Sequence, residues 1–252
     1  MNTNIQINKL KVMADELKRF MLIYKFALDE MNTKISILKE EFQMIHDYNP
    51  IEHTSSRLKS PESILGKIMR KNMKPSLLAI RENMRDIAGI RITCSFRSDI
   101  YRIKEMLCNQ QDIELVECID YIESPKNNGY QSLHLIVKVP VFMSDRVEKV
   151  YVEIQVRTIA MDFWASLEHK IYYKYDNAVP ERLTAELKEA ALAATELDRK
   201  MEALHQEVRE LKSDDATKLT KLHLEKEQFT IPMQLIEMIG EEAHTEEEPE
   251  TK

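Results

Sequence analysis

The segment Glu153-Ile154-Gln155-Val156-Arg157-Thr158 alternates polar and apolar side chains from Glu153 to Arg157. Successive side chains of a β-strand point to opposite faces, so this spacing predicts a strand with one apolar face and one polar face. The polar face presents a carboxylate, an amide and a guanidinium, a row of groups that suits a nucleotide. A strand with one solvated face shows the same alternation, so the role of this row depends on which other segments lie beside it.

Other segments surround this strand with the elements of a mixed domain. Residues 89–96, 113–122, 132–139 and 149–157 have the pattern of strands, and residues 100–109 have that of a helix. Helical patterns also precede and follow this block. The sequence therefore predicts an α/β (α+β) fold, with a mixed β-sheet of about five strands flanked by helices.

Apolar spacing and composition divide the chain into four segments. Residues 1–48 are predicted to be a helical segment, as one long helix or two, and residues 49–178 to be the domain that contains the sheet. Residues 179–212 predict a charged helix whose apolar stripe packs on this domain or on another subunit, so an oligomerisation helix is expected. Residues 213–252 end in an acidic tail that we expect to be disordered.

The charge and the cysteine content exclude several classes of protein. The 252 residues include 36 Lys and Arg against 43 Asp and Glu, a net charge of −7, which argues against binding duplex nucleic acid. Three cysteines without a C-x-x-C pair support neither a disulfide framework nor a zinc site. The sequence shows neither a signal-peptide pattern nor a run of about 18 apolar residues, so no membrane span and a cytoplasmic location are expected.

Residues 57–74 have a local excess of positive charge, because Glu62 is the only acidic residue of this stretch. The basic side chains are Arg57, Lys59, Lys67, Arg70, Lys71 and Lys74. Ser60-Pro61 predicts a helix start and places Ser63, Lys67 and Arg70 along one face, with Leu65, Ile68 and Met69 turned away from it. This stripe is typical of an amphipathic surface helix. Alternatively it forms a polyphosphate cradle, in which Arg provides a fork of donors and Lys a point charge.

Two carboxylates, those of Asp86 and Glu153, are candidates for a metal site. Asp86 is expected at the end of a helix just before the strand 89–96, where a turn or cap residue is often acidic. If the two side chains meet in space, they offer the oxygen ligands that Mg²⁺ prefers, with water and phosphate completing the octahedron. Arg91, on the polar face of the same strand, would reach either a phosphate or a surface acid.

The stretch from Pro125 to His134 joins a turn to a strand. Asn128-Gly129 predicts a tight turn, and a plain hairpin would account for it equally well. Tyr130, Ser132 and His134 share one face as the strand leaves the turn. That face provides an aromatic surface for a base, with two polar groups beside it.

Two pairs that contain histidine are not assigned to the site. His46-Asp47 is a dipeptide of metal-dependent phosphohydrolases, but the segment before Asn49 is too short to supply the further ligands. We therefore interpret it as a helix end. Glu168-His169 is interpreted as a pair of exposed or subunit-facing side chains.

Four motifs of the chain occur in a characteristic order and spacing. They are Arg57-Leu58-Lys59-Ser60, Asp86-Ile87-Ala88-Gly89-Ile90-Arg91, Lys126-Asn127-Asn128-Gly129-Tyr130-Gln131-Ser132-Leu133-His134 and Glu153-Ile154-Gln155-Val156-Arg157-Thr158. In this order they resemble the RelA/SpoT-type guanosine tetra- and pentaphosphate synthetase domain, and the likeness spans residues 45–178. The chain has no room for the family's hydrolase and large regulatory regions. It therefore looks like a small, stand-alone bacterial alarmone synthetase with a nucleotidyltransferase-like domain.

The resemblance implies an enzyme that moves the β,γ-diphosphate of ATP to the 3′-hydroxyl of GDP or GTP and releases AMP. It implies Mg²⁺ bound by Asp86 and Glu153, with Glu153 also taking the hydroxyl proton and with Gln155 and Arg157 positioning it. The implied ATP-binding residues are Arg57, Lys59, Ser63, Lys67, Arg70 and Arg91, and the implied guanine-nucleotide residues are Lys126, Asn128, Tyr130 and His134. In this class the flanking helices are associated with a homotetramer.

Two other classes of function stay open on the sequence. A nucleotidyltransferase of related fold would release pyrophosphate, but the usual pair of acids on one strand after a Gly-Ser turn does not occur here. A non-catalytic nucleotide- or RNA-binding effector would bind its ligand without consuming ATP. The products formed from ATP distinguish the three classes.

Overall fold

The computed structural model describes residues 2–46, 48–173 and 180–215. The elements are α1 (Asn2–Ile45), β1 (Ile51–Leu58), α2 (Pro61–Arg70), α3 (Leu77–Asn83), β2 (Ala88–Cys94), α4 (Arg97–Cys108), β3 (Glu114–Asp120), β4 (Leu133–Phe142), β5 (Val147–Thr158), α5 (Ile159–Tyr173) and α6 (Glu181–Asp215). Residues Met1–Arg209 form one compact unit. No helix in the described ranges is long and apolar enough to cross a membrane. The predicted acidic tail lies outside the described residues.

The five strands form one mixed sheet in the order β1-β2-β5-β4-β3. All neighbours are antiparallel except β2 and β5, which run parallel. This confirms the predicted mixed sheet flanked by helices. Residues 51–58 form the edge strand β1, although their sequence predicts only a short extended stretch that leads to Ser60-Pro61. Most of its side chains are exposed, so the apolar alternation that reveals a strand in the sequence is missing there.

The register of the strands brings polar side chains of four strands onto one face. The pairs that define it are Arg57 with Gly89, Gly89 with Glu153, Arg91 with Gln155, and Gln155 with His134. Residues that pair directly across a sheet point to the same face. The polar row of β5 therefore lies beside the polar side chains of β1, β2 and β4, as a shared site requires.

The opposite face of the sheet is the core. Val152, Ile154 and Val156 are fully buried, as their alternation predicts. Buried side chains of α1 and α4 belong to the same cluster, and each large one contributes about 1.5–3 kcal/mol. Met13 and Leu17 continue the apolar helical spacing of Phe20 and Tyr24 towards the N-terminus of α1, but they are exposed. A helix of 44 residues is about 66 Å long, which exceeds the width of five strands spaced about 4.8 Å apart. Part of α1 therefore has no sheet to pack on.

Helices α2 and α3 lead into β2 and position Asp86. The Ser60 side chain accepts a hydrogen bond from the backbone N–H of Ser63, which confirms the predicted cap of α2. Ile64 and Ile68 are the buried residues of α2, whereas Leu65 and Met69 are exposed. Helix α3 ends at Asn83, so Asp86 lies in the short connection before β2 and not at the helix end that the sequence predicted.

Helices α5 and α6 follow β5. Thr158 Oγ1 accepts a hydrogen bond from the backbone N–H of Met161 at 3.1 Å and so caps the first turn of α5. Leu187 and Ala191 of α6 pack with Trp164 of α5, so α6 packs on its own domain. Further along α6, apolar side chains stay exposed: Leu197, Met201 and Leu204.

Candidate active site

A cavity of about 430 Å³ opens on the polar face of the sheet. Its lining residues are Ser55, Arg57, Lys59, Asp86, Gly89, Ile90, Arg91, Glu153 and Gln155. The structure thus brings together the two predicted carboxylates and three of the predicted cationic residues. Ser55 was missed by the sequence reasoning, although it stands two residues before Arg57 and therefore shares its face of β1.

Gly89 keeps the floor of this cavity open. It pairs with Arg57 on one side and with Glu153 on the other, so a side chain at this position would stand between them. A Cβ built at Gly89 would lie 3.7 Å from the carbonyl oxygen of Arg57, an ordinary contact distance. The backbone around Gly89 therefore has space for a methyl group. The absence of a side chain keeps the space between Arg57 and Glu153 open.

Asp86 is held by two lysines at the edge of the cavity. Its carboxylate oxygens lie 2.9 Å from Lys59 Nζ and 2.7 Å from Lys67 Nζ. Burial alone would raise the pKa of Asp86, but the hydrogen bonds and charges of Lys67 and Lys59 outweigh it and hold the pKa below its ordinary value. The site therefore contains an ionised carboxylate and two ammonium groups at its entrance.

Three of the predicted ATP-binding residues, Ser63, Lys67 and Arg70, do not line the cavity. Ser63 lies in the first turn of α2, and its side chain accepts a hydrogen bond from Ser60 Oγ at 3.1 Å. Arg70 lies in the last turn of α2 and is exposed. Because Lys67 reaches Asp86 from the same helix, α2 borders the cavity and carries Ser63 and Arg70 at its rim.

Glu153 occupies the centre of the polar row. Gln155 Nε2 donates a hydrogen bond to Glu153 Oε2 at 3.1 Å, and His134 Nδ1 lies 3.6 Å from Glu153 Oε1. Burial raises the pKa of Glu153 and the charge of Asp86 adds to that effect, yet the contacts with His134 and Gln155 leave the pKa below its ordinary value. Glu153 is therefore ionised, and the structure couples it to Asp86 through their charges.

Arg157 connects this carboxylate row to the loop at residues 126–134. It is 4% exposed, and its Nη2 donates to Gln155 Oε1 and to the Tyr130 hydroxyl, both at 2.7 Å. The Tyr130 hydroxyl also lies 2.8 Å from His134 Nε2. A continuous hydrogen-bonded chain therefore runs from Glu153 to the aromatic ring of the loop.

Asp162 of α5 was missed by the sequence reasoning, and it links two arginines of the site. Its Oδ1 lies 3.2 Å from Nη1 of Arg91 and 3.2 Å from Nη1 of Arg157. The two arginines come from neighbouring strands, so one carboxylate fixes both side chains. No local motif marks such a residue, because the contact depends on where α5 leaves the sheet.

An aromatic cluster lies at the end of the hydrogen-bonded chain from Glu153, outside the cavity lining. Lys126 Nζ lies 4.6 Å from the ring centroid of Tyr121 and 4.7 Å from that of Tyr130, within the range of cation–π attraction. Tyr121, which the sequence reasoning missed, also meets the His134 ring edge-on at 5.1 Å between centroids. The predicted residues Lys126, Tyr130 and His134 therefore form one cluster.

Asn128 shapes the loop that carries Tyr130. Its Oδ1 accepts a hydrogen bond from the Tyr130 backbone N–H at 3.2 Å, and its Nδ2 donates to Glu168 Oε1 at 3.1 Å. Glu168 was interpreted as exposed or subunit-facing, and in the structure it binds this loop. The segment is a twelve-residue connection between β3 and β4 rather than a two-residue hairpin turn.

The described residues contain no preformed metal site. Nowhere among them do three or more His, Cys, Asp and Glu side chains gather as a ligand set. Asp86 and Glu153 both face the cavity, however, and Mg²⁺ commonly takes only one or two protein carboxylates together with phosphate oxygens. The residues present therefore fit a magnesium ion that enters with a nucleotide.

Comparison with known proteins agrees with this geometry. Residues 56–178 match the model of a region found in RelA/SpoT proteins. The GTP pyrophosphokinase YwaC of Bacillus subtilis is 54% identical over 202 residues, which cover 80% of this chain and 96% of YwaC. The crystal structure of small alarmone synthetase 2 from Bacillus subtilis has a TM-score of 0.70 and 55% identity, and covers 76% of this chain and 99% of its own.

A second synthetase of Bacillus subtilis relates the fold to ligands. Small alarmone synthetase 1 bound to its product pppGpp has a TM-score of 0.71 and 39% identity, covering 77% of this chain and 98% of its own. The same synthetase bound to AMPCPP has a TM-score of 0.66 and 36% identity, covering 78% of this chain and 99% of its own. Both structures contain nucleotides.

The cavity, with its cationic side chains and paired carboxylates, defines a class of enzyme that transfers phosphate groups between nucleotides. The chain belongs to the RelA/SpoT family, and its relatives confirm the predicted class of GTP pyrophosphokinases. The resemblance drawn from four motifs is therefore confirmed, as is the small alarmone synthetase type.

Proposed function

We propose that this chain synthesises guanosine tetra- and pentaphosphate by moving the β,γ-diphosphate of ATP to the 3′-hydroxyl of GDP or GTP, with release of AMP. One observation carries the proposal: Asp86 and Glu153 line one cavity together with Arg57, Lys59 and Arg91, and the hydrogen bonds of Gln155 and Arg157 join Glu153 to the Tyr130 cluster beyond the cavity lining. The cationic side suits a triphosphate and the aromatic side suits a base. The carboxylates lie between them, where the transferred group would pass.

The donor side binds ATP in this proposal. Arg57 of β1, Lys59 just after it and Lys67 of α2 would hold the phosphates, with Ser63 and Arg70 at the rim and Arg91 on the cavity wall. Transfer of a diphosphate demands alignment and charge neutralisation above all, because the transferred group carries its charge on its outer oxygens. When ATP enters, Lys59 and Lys67 would exchange the Asp86 carboxylate for phosphate oxygens.

Asp86 and Glu153 would hold the Mg²⁺ ion that we propose as the cofactor. Bound Mg²⁺ supplies charge neutralisation for the phosphate oxygens. Once Lys59 and Lys67 bind the phosphates, the Asp86 oxygens would be free to bind the ion. This proposal therefore couples the binding of the ion to the binding of ATP.

The acceptor side binds the guanine nucleotide in this proposal. Tyr130 would stack on the base, with Lys126, Asn128 and His134 around the nucleotide and its phosphates. Glu153 would accept the proton of the 3′-hydroxyl, since an ionised carboxylate in the centre of the site can act as a general base. Gln155 and Arg157 hold Glu153 and Tyr130 in one hydrogen-bonded chain. They would therefore fix the distance between the general base Glu153 and the 3′-hydroxyl of a nucleotide stacked on Tyr130.

Identification of the products tests this function directly. The purified chain is incubated with ATP, Mg²⁺ and either GDP or GTP, and the nucleotides are separated by anion exchange. We expect AMP together with a guanosine 3′-diphosphate product. Release of pyrophosphate would indicate a nucleotidyltransferase instead, and binding without consumption of ATP would indicate a nucleotide-binding effector.

Tyr130→Ala should weaken the binding of the guanine nucleotide and leave the binding of ATP nearly unchanged. Loss of one base-stacking ring should raise the KM for GDP by about tenfold or more, with little change in the KM for ATP. Steady-state kinetics with each nucleotide varied in turn measures both constants. Tyr130→Phe serves as the matched control, because it keeps the ring and loses only the hydroxyl contacts with Arg157 and His134. Equal rises in both KM values for Tyr130→Ala would contradict stacking.

We also propose that the protein is a cytoplasmic homotetramer assembled through its flanking helices. The exposed apolar side chains at Leu197, Met201 and Leu204 of α6 support an interface there, and nucleotide substrates support the location. Light scattering should give a mass about four times 29.6 kDa. A mass close to that of one chain would contradict the assembly. No membrane partner and no duplex nucleic acid are proposed.

A further inference from the structure

Helix α6 lies outside the region matched by the family model, yet it contacts the loop that carries Tyr130. The closest approach is at Gly129, which has a φ of +91° in the left-handed region. A Cβ at Gly129 would lie 2.5 Å from Cβ of Ala191, closer than two carbon atoms can approach. The loop and α6 are therefore packed backbone against methyl group, with no space between them.

A directed hydrogen bond also joins the loop to α6. Gln131 is 8% exposed, and its Nε2 donates to Thr195 Oγ1 at 2.9 Å. The Thr195 hydroxyl donates its own proton to the Ala191 carbonyl at 2.8 Å, one turn earlier on the helix. A lone pair of the hydroxyl is therefore directed at Gln131, and loss of the hydroxyl would leave a buried amide donor without its partner.

The Tyr130 ring rests on a small core that α5 and α6 build together. The buried members are Trp164, Ala165, Leu187 and Ala191, and Tyr130 packs against them. Trp164 Nε1 donates to the Leu187 carbonyl at 2.9 Å, which fixes the distance between the two helices. The position of Tyr130 therefore depends on α6 in two ways, through this small core and through the backbone of the loop.

A third contact ties α6 to the end of β5. Asp198 is 8% exposed and accepts a hydrogen bond from Thr158 Oγ1, the hydroxyl that caps α5. Thr158 directly follows Arg157, which donates to the Tyr130 hydroxyl. The helix thus supports both ends of the Arg157–Tyr130 contact.

We propose that Ala191 and Thr195 of α6 are positioning residues for the guanine-nucleotide side of the site, acting through Gly129, Gln131 and Tyr130. The inference rests on the proposed function of that side. It assigns part of the affinity for the acceptor nucleotide to a helix beyond the family domain. Lys59, Lys67 and Asp86 lie just after β1, on α2 and before β2, and none of them takes part in these contacts, so the affinity for ATP should not depend on α6.

Thr195→Val tests the hydrogen bond and preserves the shape of the side chain. We expect the KM for GDP to rise about tenfold while the KM for ATP changes little and the melting temperature falls by only a few degrees. Thr195→Ser should restore the KM for GDP, because it returns the hydroxyl. Thr33→Val on α1 is the matched control, because the exposed Thr33 side chain donates to the Asp29 carbonyl one turn earlier in the same way, and it should behave as the wild type.

Ala191→Val tests the packing against Gly129. The added methyl groups would push the loop away from α6, so the KM for GDP should rise about tenfold or more. Ala193→Val makes the same chemical change at an exposed position of α6 and should leave both KM values unchanged. Wild-type KM values for GDP in both Thr195→Val and Ala191→Val would overturn the proposal, and so would equal rises for GDP and ATP.

Calorimetry with GDP alone separates this inference from the proposed reaction. If the wild type makes no alarmone, the proposed reaction fails, and the dissociation constant for GDP still tests the role of α6. A dissociation constant that weakens about tenfold in Thr195→Val and recovers in Thr195→Ser supports positioning. Unchanged binding in Thr195→Val and Ala191→Val, or no GDP binding by the wild type, overturns it.

Discussion

Asp86→Asn should abolish alarmone synthesis without weakening the binding of ATP. The amide keeps the shape of the side chain but removes the charge that would hold Mg²⁺ beside the transferred diphosphate. It also releases Lys59 and Lys67, which lie 2.9 and 2.7 Å from the Asp86 oxygens, to bind phosphate. We therefore expect kcat to fall on the order of 1000-fold or more.

Product formation and ligand binding are measured separately for this variant. Anion-exchange separation follows AMP and the guanosine product, and calorimetry follows a non-hydrolysable ATP analogue with and without Mg²⁺. The dissociation constant without Mg²⁺ should equal or improve on that of the wild type. Asp145→Asn, an exposed carboxylate between β4 and β5, is the control and should retain full activity. Activity within tenfold of the wild type in Asp86→Asn would contradict the proposed role.

Glu153→Gln should separate binding from chemistry on the acceptor side. Glutamine preserves the volume and still accepts a hydrogen bond from Gln155, but it cannot take a proton from the 3′-hydroxyl. General-base catalysis typically contributes about 100- to 10,000-fold, so kcat should fall by that order. Neither KM should change more than a fewfold, because the hydrogen-bonded chain to Tyr130 stays complete.

The same strand provides the control for Glu153→Gln. Glu148, at the beginning of β5, binds Arg81 and Arg146 far from Tyr130, and Glu148→Gln should not alter kcat. Single-turnover measurements with enzyme in excess report the chemical step without product release. A kcat for Glu153→Gln close to that of the wild type would contradict both the proton-accepting role and the metal-binding role of Glu153.

The elements of the sheet were predictable because a strand reveals its two faces through a period of two residues. Val152, Ile154 and Val156 mark the buried face of β5 in the sequence, so Glu153, Gln155 and Arg157 had to lie on the other. The edge strand β1 was predictable only as an extended segment, because an exposed edge needs no apolar alternation. Helix α1 was predictable as a helix, but the sequence did not show which of its turns pack on the sheet.

The candidate site was predictable where its residues fall in dense local motifs, and not where they meet across the fold. Arg57, Lys59, Asp86 and Glu153 were predicted from their motifs and line one cavity in the structure. Asp162 and Tyr121 were missed because each contacts the site from an element whose direction no local pattern encodes. Glu168 was assigned away from the site for the same reason, and it binds Asn128.

The sequence by itself determined the fold class, the family, and the chemical groups available for nucleotide chemistry. These follow from backbone periodicity, side-chain type and motif order, all of which are local. The tertiary structure alone decided that Lys59 and Lys67 hold Asp86, that Asp162 joins two arginines, and that α6 supports the loop of Tyr130. Those contacts depend on strand register and helix direction, which result from packing the whole core rather than from any one segment.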